Sequence, residues 1–441
     1  MSPAVATAVG LFVLLAILGA PIAVTLGAST LVALLLFDPI PLPLIGQKIL
    51  SNIDSTTLMA VPFFFLAAAF METGGIVRRL VALAQAMVGH RRGGIGMTGV
   101  LACMFFAAIS GSSGATVAAV GGIMIPAMIR HGYSRRYAVG SMTTAGSLGI
   151  LIPPSIPMVL YGFLTETSIP KLFVAGILPG IVFGLLLMGL ARFLAVRERV
   201  PVAPSLPWAE RRAALRDALP ALSLPVFLLV GIYGFPSFEA FGHRVEGGAI
   251  FTPTEAAVVC AALAALIGTL VYRETTLPGL IRTMLAVTPR IGMIFWITTM
   301  AILFSFFLTQ QGVPAALAQS MVEVQMPRWL FLLLVNAVLI VAGIFMDGVP
   351  MILLFMPILF PAAMELGVDP LHLCIIVVVN IELALISPPV GINLYVSSTI
   401  ANVPIHEVVI ASLPWVAVTF LMLVLVTYVP WLSTFLPGVL F

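Results

Sequence analysis

The sequence predicts an all-α integral membrane protein of two inverted repeats, each pairing a re-entrant helical hairpin with a transmembrane helix broken at a Pro-Pro step. Composition, the placement of basic residues and an internal repeat together predict it. Of 441 residues, 61% are hydrophobic and only 8% are charged, and the mean hydropathy is +1.18. A water-soluble chain of this length needs a far more polar exterior. A bilayer instead selects runs of about 20 apolar residues, whose helices satisfy their own backbone groups.

The remaining bulk features narrow the class. The net charge of +3 is spread over short loops, so no nucleic-acid partner is expected. Cys103, Cys260 and Cys374 lie in apolar runs at no metal-ligand spacing and read as small buried hydrophobes. The first 37 residues lack a basic leader and a small-residue cleavage site, so they read as retained helices rather than a cleaved signal.

Apolar segments run approximately over 4–20, 21–37, 57–72, 94–109, 115–129, 137–165, 170–195, 218–235, 251–272, 291–308, 329–346, 351–364, 371–400 and 404–435. Four stretches carry interruptions. Ser110-Gly111-Ser112-Ser113-Gly114 divides 94–129, and Asp347-Gly348-Val349-Pro350 divides 329–364. Pro153-Pro154 breaks 137–165, and Pro388-Pro389 breaks 371–400.

Charge placement then sets the topology. With each interrupted stretch a re-entrant hairpin and each Pro-Pro stretch one broken span, sixteen of the twenty basic residues fall on one side. Only Lys48, Lys171, Arg244 and Arg328 fall on the other. The basic side is cytoplasmic by the positive-inside rule, which puts both termini outside. Arg91-Arg92 and Arg130 flank the first interrupted stretch with one sign, as a hairpin requires and a straight crossing does not.

The repeat appears when the chain is slid by 235 residues. Pro126 then falls on Pro361, Gly132 on Gly367, and Pro153-Pro154 on Pro388-Pro389 without a gap. These are the residues that dictate backbone path. Arg130 meets Glu365 at the same offset, which fits two copies lying upside down to one another. Inverted repeats with paired Gly/Pro interruptions mark a transporter site near the bilayer midplane.

Non-helical backbone at membrane depth is tolerated where it lines a cavity or is buried in protein. Ser110, Ser112, Ser113 and Thr116 crowd the first tip, and Thr143, Thr144 and Ser147 precede the first Pro-Pro break. Hydroxyls with unwound carbonyls form an all-oxygen shell suited to Na⁺, and half-helix N-termini attract a carboxylate. In the second half Asp347 stands at the tip, while Asn380, Glu382, Ser387 and Asn393 surround the break. Intramembrane acids are costly and usually functional. Asp347 either ligates a cation or caps the following helix, and Glu382 is also compatible with a structural partnership at the break. Each single hydroxyl has the plainer reading of a bond back to its own helix.

An enzymatic reading fails on the histidines. Gly111-Ser112-Ser113-Gly114 superficially fits the GxSG of intramembrane serine proteases, but His90, His131, His243, His372 and His406 all fall in loops or at helix ends. No enzyme is expected. A channel fits less well than a carrier, because paired hairpins suit alternating access better than a continuous pore.

The stretch SGSSGATVAAVGGIMIPAMIRHGYSRRYA with GSLGILIPPSIPMVLYG resembles the large membrane subunit, DctM type, of tripartite ATP-independent periplasmic (TRAP) transporters. FTPTEAA at 251–257, the stretch at 346–370 and NIELALISPPVGINLYV at 380–396 share the resemblance, which runs in order from about residue 10 to the C-terminus. It implies an elevator-type, Na⁺-coupled importer of organic acids, dicarboxylates or sugar acids such as sialic acid, in the bacterial inner membrane. It also implies a small four-helix membrane subunit of DctQ type and a periplasmic substrate-binding protein of DctP type. The chain begins with large-subunit helices, so the small subunit is expected as a separate chain. A stand-alone sodium/organic-anion symporter of related fold is the alternative.

Carried over by motif, the resemblance implies one sodium site between the Ser110–Thr116 tip and the Gly146–Ser155 break, with Ser110, Ser112, Ser113, Gly146 and Pro153 as ligands. A second joins Asp347 and Gly348 to Ser387 and Pro388. The substrate lies between the tips, against Thr116, Ser147, Ser155, Gly391 and Asn393. Two positions depart from the family, which usually has proline where Gly114 stands and threonine where Ser387 stands. The expected division is scaffold at 1–56, a transport repeat at 57–169, scaffold and cytoplasmic loop at 170–272, a second transport repeat at 273–400 and a C-terminal scaffold helix at 401–441. Residues 73–92 and 273–290 are expected as interfacial arms.

Overall fold

The computed structural model describes residues 2–37, 41–234, 238–240, 243–245 and 248–441. The side chains of Lys48 and Arg244, two of the four basic residues expected on the sparse side, lie outside the described residues. The chain begins with α1 (Pro3–Ile17), α2 (Ile22–Phe37) and α3 (Leu42–Ile53). Next, α4 (Ala60–Thr73) bends by 71° into α5 (Ile76–Val88). The bend falls at Gly74-Gly75, where Gly75 takes φ +75°. That left-handed backbone favours glycine, and a methyl group there would also push aside the Glu274 carboxylate, 2.1 Å away.

The first hairpin is α6 (Gly94–Ser110), then α7 (Ser113–Thr116), a π-helical stretch Val117–Gly121 and α8 (Gly122–Arg130). The first broken span is α9 (Arg135–Ala145), α10 (Leu148–Leu151) and α11 (Ile156–Thr165). Four long helices follow. They are α12 (Ile169–Arg197), α13 (Trp208–Tyr233), α14 (Pro253–Leu266) with a π-helical extension Ile267–Val271, and α15 (Leu277–Gln310). Between α13 and α14 a small antiparallel ribbon pairs β1 (Phe238–Ala240) with β2 (His243–Val245). It is an extramembrane addition to an otherwise helical chain. The last part is α16 (Val313–Glu323), the second hairpin α17 (Arg328–Phe345) and α18 (Gly348–Glu365), the second broken span α19 (Pro370–Leu385) and α20 (Ile392–Ala401), then α21 (Ile405–Tyr428) and α22 (Trp431–Leu440). Among the described residues, nine helices are long and apolar enough to cross a membrane.

The repeat holds at the level of helix ends. Hairpins turn after 110 and 345, restart at 113 and 348, end at 130 and 365, and the broken spans begin at 135 and 370, every pair 235 apart. The same residue chemistry sets both copies. Gly132 (φ +84°) and Gly367 (φ +68°) make the left-handed turn out of each hairpin. Ser134 accepts from the Tyr137 amide at 3.1 Å. Asp369 accepts from the Leu371 and His372 amides at 2.8 and 3.1 Å, so each broken span starts on an N-cap. Both Pro-Pro peptide bonds are cis. Four crossing helices, α12 to α15, separate the first hairpin and broken span from the second hairpin and broken span. An even number returns the chain to the side on which the first repeat ended, so the second starts from the opposite side and is inverted.

Packing corrects two expected boundaries. Residues 277–290 are not a separate arm: they run unbroken into the 34-residue α15, with Pro289 kept inside the helix. The register-mate of α5 is instead α16, and the two occupy the same place, each leading from a crossing helix into a hairpin. Second, α12 packs against α6, α9, α10, α11, α19 and α21, and α21 packs against α9, α12, α19 and α20. The two helices therefore share the core of the hairpins and broken spans, with Phe173, Phe183 and Trp415 among its fully buried side chains. A second, smaller core joins α1, α2 and the outer half of α15 to Leu353 and Leu354 of α18.

Candidate functional site

The two broken spans and the two hairpin tips converge by exchange. The half after each break packs on the other repeat's hairpin: α11 on α18, and α20 on α7, α8 and the π-helical stretch between them. At this centre α7, α11, α18 and α20 all begin, while α6, α10, α17 and α19 end. Helix starts present amide N–H groups and positive dipole ends to an anion, and helix ends present free carbonyls to a cation. One centre thus offers both chemistries from the backbone itself.

The first tip closes over the first break. Gly111 takes φ +63° and Ser112 is extended, which turns the chain by two residues between α6 and α7. Ser110 and Thr116, both wholly buried, bring their hydroxyls to 3.1 Å of each other. Thr116 Oγ1 also donates to the Ser112 carbonyl at 2.8 Å. The break is pressed against this loop. A methyl group on Gly149 would lie 2.4 Å from Thr116 Oγ1 and 2.5 Å from the Ser112 oxygen. One on Gly146 would lie 2.1 Å from Val117 Cγ2. Ile156 N donates to the Gly111 carbonyl at 3.4 Å. Ser110, Ser112, Ser113, Thr116, Gly146, Ser147, Pro153 and Ser155 therefore belong to one compact loop-on-loop assembly.

The second repeat reaches into it through α20. Asn393, wholly buried, donates its side-chain amide to Ser113 Oγ at 2.7 Å and to the Thr143 carbonyl at 3.2 Å. One turn on, Ser397 Oγ accepts from Thr143 Oγ1 at 2.7 Å. Thr144 Oγ1 and Ser147 Oγ are buried with no hydrogen-bond partner, and so is Asn393 Oδ1. A buried, unsatisfied polar group costs about 1–3 kcal/mol, so these oxygens have hydrogen-bonding or coordinating capacity that the protein itself leaves unused. An oxygen-only set of hydroxyls and carbonyls fits a hard monovalent cation such as Na⁺.

The second tip is built differently. Asp347 caps α18 by accepting from the Gly348 amide at 2.7 Å. A methyl group on Gly348 would lie 2.3 Å from Ile381 Cγ2, and one on Gly343 would lie 2.4 Å from Ala384 Cβ. The tip therefore rests on the end of α19. The other second-half residues are tied locally. Ser387 Oγ donates to the Leu383 carbonyl at 2.6 Å, and the Gly391 amide donates to the Ser387 carbonyl at 3.0 Å. Pro388 to Val390 are exposed, whereas Pro153, Pro154 and Ser155 are buried. Ser155 Oγ caps α11, accepting from the Met158 amide at 3.4 Å.

Sequence reasoning missed Ser397, Gly149 and Asn336. Asn336 anchors a buried chain: Asn380 donates to Asn336 Oδ1 at 2.7 Å, and Asn336 donates to Thr427 Oγ1 at 2.9 Å. A lone amide in the apolar run of α17 was a usable signal, since a polar group at membrane depth needs a partner on another helix. Gly149 was marked by its place between Ser147 and the Pro-Pro step, though not the atoms it faces.

Comparisons with known proteins agree with this architecture. The solved structure of the Alcanivorax borkumensis YdaH transporter is similar over 98% of this chain and 99% of that one, with a TM-score of 0.60 at 15% identity, a likeness of fold alone. The C4-dicarboxylate TRAP transporter large permease protein DctM of Pseudomonas aeruginosa is 45% identical over 94% of each chain. The isethionate TRAP transporter permease protein DctMQ of Oleidesulfovibrio alaskensis is 37% identical over 97% of this chain and 66% of that protein. The family described as tripartite ATP-independent periplasmic transporter, DctM component, matches residues 9–432. The chain therefore belongs to the DctM family of TRAP transporter large permeases, as a multi-pass membrane transporter and not an enzyme.

Proposed function

We propose that the chain imports an organic acid across the bacterial inner membrane, coupled to Na⁺, with a periplasmic substrate-binding protein and a separate small four-helix subunit. A C4-dicarboxylate is the first candidate substrate, because the Pseudomonas relative is named for one. The distribution of basic residues supports a periplasmic position for both termini.

The observation that carries this reading is the assembly of the first tip and first break. It supplies an oxygen-only lining, two buried hydroxyls without partners at Thr144 and Ser147, and an amide from the opposite repeat. Na⁺ bound there would be held by carbonyls and hydroxyls of Ser110, Ser112, Ser113 and Gly146, beside Pro153, with the unpartnered hydroxyls of Thr144 and Ser147 completing the shell. Asp347 and Gly348, with Ser387 and Pro388, supply the second set. Bound cation charge favours a carboxylate between the tips, where Thr116, Ser147, Ser155, Gly391 and Asn393 stand near the starts of α7, α11 and α20.

The packing supports an elevator reading of the movement. The unit that moves comprises both hairpins, both broken spans, α12 and α21, and α1 to α4 with α13 to α15 form the frame. α5 and α16 connect the two in the manner of an elevator's arms.

The test is Na⁺-gradient-driven uptake of succinate into proteoliposomes holding both membrane subunits, with the binding protein outside. The double variant T144V/S147A is expected to lose sodium stimulation while the protein remains folded by thermal melting. Wild-type sodium dependence in that variant would overturn the site. Undiminished uptake without the binding protein would favour a stand-alone symporter.

A further inference from the structure

Glu382 lies in α19, three residues before that helix ends, and is wholly buried. Neither of its carboxylate oxygens has a hydrogen-bond partner. Its chain neighbours Ile381, Leu383 and Leu385 are buried and apolar, and the ion pairs found among the described residues are both made by Glu274. An ionised carboxylate left alone in such surroundings is severely disfavoured. The group is therefore neutral in this conformation and holds its proton.

Its position is not arbitrary. Glu382 is the repeat-mate of Ser147, 235 residues earlier, whose hydroxyl is also buried without a partner. α10, which starts directly after Ser147, packs against α19. Beyond Glu382 the chain runs through buried Ile386 and half-buried Ser387 to exposed Pro388, Pro389 and Val390. The exposed backbone nearest to Glu382 along the chain is therefore at the second break.

The helices around α19 bring no charge of their own to its middle. α10 and α22 carry none. The charged residues of α12 (Lys171, Arg192 and Arg197), α17 (Arg328), α18 (Glu365) and α21 (His406 and Glu407) stand within two turns of the helix ends, and Asp347 caps the start of α18. Tyr161 of α11 donates to the Pro370 carbonyl and Tyr395 of α20 to the Pro389 carbonyl. Tyr428 ends α21, and on α19 itself His372 lies in the first turn, followed by Cys374. A sodium ion needs several oxygens, whereas the body of α19 keeps its carbonyls in helical bonds; a proton needs only the carboxyl.

We infer that Glu382 is a proton-coupling site of the carrier, loaded in this conformation and emptied to water as the second break opens on the other face. The proton leaves the carboxyl for water, and no other bond changes. The inference rests on the importer reading and adds a second coupled ion to it.

The experiment uses proteoliposomes with both membrane subunits, the binding protein and succinate, at about pH 7.5, where carboxylates are ionised. Membrane voltage is clamped, and a pH dye is trapped inside. Wild type is expected to acidify the lumen in step with sodium-driven succinate uptake. In E382Q that acidification falls to the level of substrate-free vesicles while succinate counterflow persists, and E382D restores it. Sodium-driven uptake in wild type without acidification overturns the inference, as does undiminished acidification in E382Q. Absence of any sodium-driven uptake in wild type would instead sink the importer reading itself.

Discussion

Asn393 donates one side-chain amide to both Ser113 Oγ and the Thr143 carbonyl, at 2.7 and 3.2 Å. One residue of the second repeat thereby ties the first hairpin tip to the first broken span. Asn393→Ala removes the tie and leaves both acceptors without it. The half-saturating sodium concentration for uptake should rise about tenfold, roughly 1.4 kcal/mol, with Asn393→Gln intermediate. A sodium titration identical to wild type would show that the tie does not shape the ion site.

Gly149 faces Thr116 Oγ1 and the Ser112 oxygen at distances that leave no space for a methyl group. Gly149→Ala should displace the tip at an overpacking cost of about 1–3 kcal/mol and suppress uptake. Gly189→Ala in α12, with nothing within 4 Å of the added carbon, is the control and should transport normally. Equal activity in the two variants would refute the close approach.

Asp347 separates capping from charge. Asparagine caps a helix about as well as aspartate, so Asp347→Asn should melt like wild type yet lose sodium-dependent uptake. Asp347→Ala should lose both, with stability down by about 1 kcal/mol. Full transport by Asp347→Asn would reduce the residue to a cap.

The bend between α4 and α5 is clamped from the α14–α15 turn. Glu274 accepts from Arg78 and Arg79, Arg79 stacks 3.8 Å from the Tyr272 ring centroid, and Thr275 donates to the Thr73 carbonyl at 2.9 Å. Partial desolvation acts against ionisation of Glu274, but Arg79 and Arg78 outweigh it and hold the carboxyl below its ordinary range. A lowered folded-state value means the clamp is complete above the ordinary carboxylate range and is lost as pH falls through the lower value. Partly exposed pairs of this kind contribute on the order of 0.2–1 kcal/mol. Melting of Glu274→Gln in detergent should match wild type at acidic pH and fall slightly below it near neutrality. A deficit of the same size at both pH values would exclude the charge contribution.

The repeat was legible because proline and glycine restrict the backbone wherever they stand, so Pro153-Pro154 and Gly132 announced the same path as Pro388-Pro389 and Gly367. The hydroxyl cluster at the first tip was legible for a similar reason, since short polar side chains at a break in an apolar run have few other uses. The allegiance of α12 and α21 was not legible. Both read as uniform apolar spans, and such a helix shows no period that distinguishes a protein-facing stripe from a lipid-facing one. The continuity of α15 was hidden by Arg282 and Arg290, which suggested a separate interfacial arm at 273–290 but ride on one unbroken helix. The bond from Asn393 to Ser113 spans 280 residues, and no local pattern encodes it.

The exchange of half-helices between the repeats also governs how the chain is made. α11 is covered by α18, whose first residue is Gly348, while α11 ends at Thr165. At roughly 5–20 residues per second of synthesis, that cover reaches the membrane roughly 10–40 s later. Until then the first repeat sits in lipid with its partner surface bare. The bond from Asn393 to Ser113 can form only after the second half has been threaded in, so a ribosome halted in the α12–α17 region leaves an inserted but unfinished protein, recognisable to membrane quality control by the uncovered face of α11.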